Sequence, residues 1–76
     1  MPTFYFDFED DGGTTIDDHG EEFPGLDAAQ REASAALAEA AKDCRRSNLR
    51  LTIIVRDAEG PVVEVSATFE TKPIRR

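Results

Sequence analysis

From Thr3 to Glu9 the chain alternates without a break, Phe4, Phe6 and Phe8 pointing one way and Thr3, Tyr5, Asp7 and Glu9 the other. A period of two predicts a strand with one heavily apolar face. Asp10-Asp11-Gly12-Gly13 then supplies turn residues, since Gly tolerates positive φ and Asp bonds its own backbone. A shorter strand is predicted over Thr14-Thr15-Ile16-Asp17, followed by a turn at His19-Gly20 and a non-helical lead-in at Phe23-Pro24-Gly25-Leu26. From Ala28 to about Asp43 there is no Gly or Pro and alanine dominates, which predicts a helix. Asp27, three residues before Gln30, has the spacing of a capping box. Ala29, Ala33, Ala36, Leu37, Ala40 and Cys44 recur at helical spacing as a stripe of small residues, and Arg45 and Arg46 follow at the negative end of the helix dipole.

Alternation resumes over Leu49–Arg56, with Leu49, Leu51, Ile53 and Val55 directed inward and Arg50, Thr52, Ile54 and Arg56 outward. Asp57-Ala58-Glu59-Gly60-Pro61 reads as a turn, and Val62–Glu70 as a last strand with Val63, Val65, Ala67 and Phe69 inward. The pattern predicts an α+β fold, ββαββ, in which a four-stranded, mostly antiparallel sheet carries one helix on one face. The Phe-rich first strand is expected near the centre of the sheet, beside the second hairpin. One helix covers one face of four strands, so the opposite face is expected to be bare and mixed in character.

With 76 residues the chain is one small domain, expected to span residues 1–71 with a flexible basic tail at 72–76. Hydrophobic residues make up 39% and charged residues 33%, enough of the former for a core. No apolar run is long enough to span a bilayer, and the N-terminal residues reach Asp7 without a basic leader, so a cytoplasmic location is expected. The single cysteine, Cys44, cannot form an internal disulfide and reads as structural filler.

The net charge of −7 hides an asymmetry: residues 1–43 balance at −10 and residues 44–76 at +3. Eight acids lie between Asp7 and Glu22 with no Lys or Arg among them. Such a field repels phosphate backbones and anionic membranes and attracts cations or basic partners. Asp7, Glu9, Asp11, Gly12 and Asp18 approach the spacing of a calcium loop, but they fall on predicted strands and the last ligand is the shorter Asp, so no metal site is expected. His19 reads as an exposed turn residue, and no nucleophile lies near it. With no phosphate loop, metal-ligand Cys/His spacing or Ser-His-Asp set, neither an enzyme nor a cofactor is expected.

The opening Phe4-Tyr5-Phe6-Asp7, the turn at Asp11-Gly12-Gly13, Asp17-Asp18-His19-Gly20-Glu21, and Phe23-Pro24-Gly25-Leu26-Asp27-Ala28-Ala29 entering an Ala-rich helix resemble a family of small uncharacterised alphaproteobacterial proteins, classed as a domain of unknown function. Val55-Arg56-Asp57-Ala58-Glu59-Gly60 and Val65-Ser66-Ala67-Thr68-Phe69 continue the resemblance over nearly the whole chain, and it implies no activity. A fainter likeness, in the Phe-Pro-Gly-Leu segment before the helix, is to HicB-type antitoxins. Those append a DNA-binding element that has no counterpart among these residues. The expected function is a small protein-interaction module that pairs with another protein or with itself as a homodimer. Its partner face would be Tyr5, Arg50, Thr52, Ile54 and Arg56. The alternative is an acidic patch of Asp17, Asp18, Glu21 and Glu22 that binds a cation or small ligand, or neutralises a basic partner as the antitoxin likeness suggests.

Overall fold

The alternating segments form strands and the alanine-rich segment forms a helix, in the order β1 (Thr3–Asp10), β2 (Gly13–Thr15), β3 (Glu21–Glu22), α1 (Leu26–Lys42), β4 (Leu49–Asp57) and β5 (Gly60–Phe69). The computed structural model describes residues 1–43 and 48–75. The readings made for Cys44, Arg45 and Arg46 therefore lie outside the described residues. The strands make one antiparallel sheet in the order β2-β1-β4-β5, with β3 also paired to β1. The Phe-rich strand is thus central as expected, and its neighbour in the second hairpin is β4.

One face of the sheet is the core. Phe4 of β1, Leu49, Leu51, Ile53 and Val55 of β4, and Ala29, Ala33 and Leu37 of α1 are buried there together with Phe23. Cross-strand pairs Phe6–Val55 and Phe8–Ile53 align β1 with β4, and Val55–Val63 and Ile53–Val65 align β4 with β5, so the inward sets lie side by side. Because Ala29 and Ala33 are completely buried, the helix axis lies close to β4 and β5. Phe23 reaches β1 by stacking on Phe6 at 5.8 Å and tilting against Phe4 at 6.2 Å. The molecule is thin, measuring 55 × 22 × 19 Å, and Val55 is the largest side chain among the described residues to be fully buried.

Five details depart from the sequence expectation. The helix begins at Leu26, with Gly25 as its N-cap and no side-chain capping bond, so Asp27 sits in the first turn and acts on the dipole instead of closing a capping box. The reason is Phe23: its burial and its N–H bond to the Pro2 carbonyl (3.1 Å) bring the chain to the helix entry two residues early, and Ala29 N–H bonds Gly25 O at 3.2 Å. The second strand stops at Thr15, and Ile16 is exposed. An unexpected short strand, β3, follows, so the sheet has five strands among the described residues, two of them very short. Phe69, expected inward, is 44% exposed because it lies at the open end of the β4–β5 hairpin. Asp7, expected on a solvated outer face, is buried.

No helix of the described residues is long and apolar enough to cross a membrane.

Candidate functional site: the sheet face opposite the helix

The face turned away from α1 carries Tyr5, Asp7 and Glu9 of β1, Arg50, Thr52, Ile54 and Arg56 of β4, and Glu64, Ser66 and Thr68 of β5. The alternation that directs Phe6 and Val55 into the core directs Asp7 and Arg56 here, and the register places Tyr5 directly across from Arg56. Asp7, diagonal to Arg56, accepts from its Nε at 2.6 Å and its Nη2 at 3.1 Å. The same Nη2 donates to the backbone carbonyl of Asp17 at 2.8 Å, and the guanidinium carbon stands 4.8 Å from the centre of the Tyr5 ring. One guanidinium thus ties β1, β4 and the loop of residues 16–20 together.

Asp17 completes the arrangement. Its Oδ2 accepts the N–H of Phe6 at 3.0 Å, and its Oδ1 accepts those of His19 (3.0 Å) and Gly20 (3.2 Å). Its own N–H donates to Asp7 Oδ1 at 3.0 Å. β2 and β3 pair with opposite ends of β1, and in the interval between them the Asp17 carboxylate takes the N–H that a ladder partner would have taken. The loop then passes so close to Tyr5 that Gly20 has a φ of +74°, and a Cβ built there would lie 2.8 Å from Tyr5 Cε2 and 2.7 Å from Thr3 Cγ2. Only glycine fits that approach.

The electrostatics follow from these bonds. The Arg56 hydrogen bonds hold the Asp7 carboxyl below the ordinary value of 3.8, outweighing the opposing effect of burial, and the Asp17 N–H helps. For Asp17 the N–H groups of Phe6 and His19 are the main cause of a lowered value. Arg56 is raised, chiefly by Asp7. Both carboxylates are therefore fixed as anions with their oxygens occupied by donors, and the cluster works as a clasp.

The sequence-predicted residues fall into two groups. Tyr5 and Arg56 are joined within the clasp, while Arg50, Thr52 and Ile54 lie along β4 toward its other end. Thr52 is buried, its Oγ1 3.2 Å from Ser66 Oγ, and Arg50 is exposed with Nη2 3.8 Å from Glu64 Oε2. Of the four acids, Asp17 turns inward to the clasp, whereas Asp18, Glu21 and Glu22 are exposed. His19 is exposed, with Nδ1 3.2 Å from Asp18 Oδ1. Asp7, Glu9, Asp11 and Asp18 are spread along β1, the hairpin turn and the loop, and among the described residues no three His, Cys, Asp or Glu are grouped to hold a metal ion. Cross-strand ion pairs between the arginines and the acids of this face follow from the alternation, and Arg56–Asp7 and Arg50–Glu64 are such pairs. Sequence reasoning missed the burial of Asp7 and the role of Asp17. The available signal was a charged pair on two alternating strands, together with an Asp two residues before His-Gly.

No curated protein and no solved structure gives a significant match to this chain. A family model does, over residues 3–68, from the start of β1 almost to the end of β5, so all of the elements that build the clasp lie within the match. The chain belongs to the family described as Domain of unknown function (DUF6894).

Proposed function

We propose that this chain is a small, non-enzymatic protein-interaction module whose sheet is the binding surface and whose first partner is a second copy of itself. The observation that carries the reading is a sheet left open on two sides. Among the described residues no helix or strand lies across the face of Arg50, Thr52, Ile54, Glu64, Ser66 and Thr68, and β5, ten residues long, ends the sheet without a further strand. A long edge strand is a template for pairing. The shallow core supports the same reading, since a domain of this size gains stability from surface buried against a partner.

The test is the solution mass by light scattering over a concentration series. Self-association raises the mass from the 8.4 kDa of one chain toward twice that value. Ile54→Asp, which places a charge on the half-buried centre of the face, is expected to weaken an association through that face. Lys substitutions at the exposed Asp18, Glu21 and Glu22 are expected to leave association intact. A mass loss confined to those acidic positions would favour an electrostatic contact at the hairpin and refute the sheet as the surface.

A further inference from the structure

We propose that β5 pairs with β5 of a second copy, antiparallel and centred on Ser66, joining the two sheets edge to edge; this rests on the reading of the chain as a protein-interaction module. The argument begins with the direction of backbone groups. Phe6 turns its N–H to Asp17, away from β4, so Tyr5, Asp7 and Glu9 turn theirs to β4. Carried across the register, Leu49, Leu51, Ile53 and Val55 bond Phe69, Ala67, Val65 and Val63. Glu64, Ser66 and Thr68 are left with their N–H and C=O directed outward, where no strand among the described residues lies.

Pro61 limits this free edge. The register shift at Val55/Arg56 sets Pro61 opposite Arg56, whose backbone faces β1, so Pro61 faces outward and has no N–H to give. The usable edge therefore runs from Val63 to Phe69, and its midpoint is Ser66. Two-fold pairing there places Val63 against Phe69 of the second copy, Glu64 against Thr68, Val65 against Ala67 and Ser66 against Ser66. Phe69, 44% exposed in the single chain, gains an apolar neighbour, and a small residue meets a larger one at Val65–Ala67.

Charge favours this register and this partner. Centring on Glu64 would set two glutamates against each other, and centring on Val65 would draw Pro61 into the pairing. With Ser66 at the centre, Glu64 stands in one row with Thr68 and then Arg50 of the second copy, because Arg50 pairs with Thr68 across β4–β5. Both Arg50 and Glu64 are more than half exposed, and their contact within the chain is long at 3.8 Å. Symmetry doubles the row, so each copy offers one Arg50 and receives one Glu64.

The experiment is sedimentation or light scattering on four proteins: wild type, Ser66→Pro, Glu64→Lys and Arg50→Glu. Wild type is expected to dimerise. Ser66→Pro, which removes an N–H that β4 does not use, is expected to remain folded by circular dichroism and to be monomeric where wild type is dimeric. Glu64→Lys and Arg50→Glu are each expected to weaken self-association about fivefold, and an equimolar mixture of the two to recover it, since each row then regains opposite charges. The mixing arm holds even if the proline variant does not fold. A wild type that stays monomeric overturns the proposal. So does a dimer that survives Ser66→Pro in a folded protein and dissolves with Ile54→Asp, an outcome that leaves pairing through the sheet face standing.

Discussion

Replacing Arg56 by Met leaves the Asp7 carboxylate enclosed without its cation. The Asp7 side chain is 8% exposed and that of Arg56 28%, so the pair lies between a surface ion pair, worth about 0.2–1 kcal/mol, and a buried one, whose breakage costs about 3–5 kcal/mol. The expected loss is about 2–3 kcal/mol, a large share of the roughly 4–11 kcal/mol total for a domain of this length. Arg56 also bonds the Asp17 carbonyl, so the single variant overstates the pair. A double-mutant cycle with Asp7→Asn isolates it, because Asn keeps an oxygen for the Asp17 N–H. Urea unfolding at neutral pH and low salt is expected to give a coupling of about 1.5–2 kcal/mol. The coupling also depends on pH. Asp7 is held below 3.8 in the fold, so its contribution is complete above that value and is lost as pH falls through the depressed native value. In Arg56→Met the burial effect is left to raise Asp7, and stability should rise, not fall, as the carboxyl takes up its proton. A coupling below about 0.5 kcal/mol at neutral pH, or one that persists well into acid, would refute the clasp.

Asp17 is also lowered from 3.8, so its stabilisation is present above that pH and disappears as pH falls through the native value. Asp17→Ala, which strips the Phe6, His19 and Gly20 N–H groups of their acceptor, is expected to cost about 2–3 kcal/mol at neutral pH and to flatten the acid limb of melting temperature against pH. An unchanged acid limb would refute it. Gly20→Ala meets Thr3 and Tyr5 at 2.7 and 2.8 Å in a positive-φ conformation, and urea unfolding is expected to show a loss of about 1–3 kcal/mol. Stability equal to wild type would mean that the loop does not pack on Tyr5.

The three long strands, expected over Thr3–Glu9, Leu49–Arg56 and Val62–Glu70 and found at Thr3–Asp10, Leu49–Asp57 and Gly60–Phe69, and the alanine-rich helix were legible because each is written in a local period, two for the strands and 3.6 for the helix. The open sheet face was legible for the same reason: once Phe6 and Val55 are assigned inward, Asp7 and Arg56 must share the other side. The helix start was not, because Asp27 has a good capping sequence while the actual start depends on where Phe23 docks against Phe4 and Phe6. β3 was hidden as well, since Glu21-Glu22 has no apolar alternation and pairs because its neighbours hold it along β1.

The amino-acid order alone determined the three long strands, the body of the helix and which face of each of these is apolar. Tertiary structure decided which charged groups meet. Asp7 and Arg56 are 49 positions apart, and nothing local to either one says that β4, and not β5, lies beside β1. Only when the strands take their places does a carboxylate that local alternation would leave in water become buried beside a guanidinium, and a turn aspartate become the acceptor for a strand N–H. Periodicity is encoded residue by residue, whereas the partners across a sheet are chosen by the burial of the whole chain.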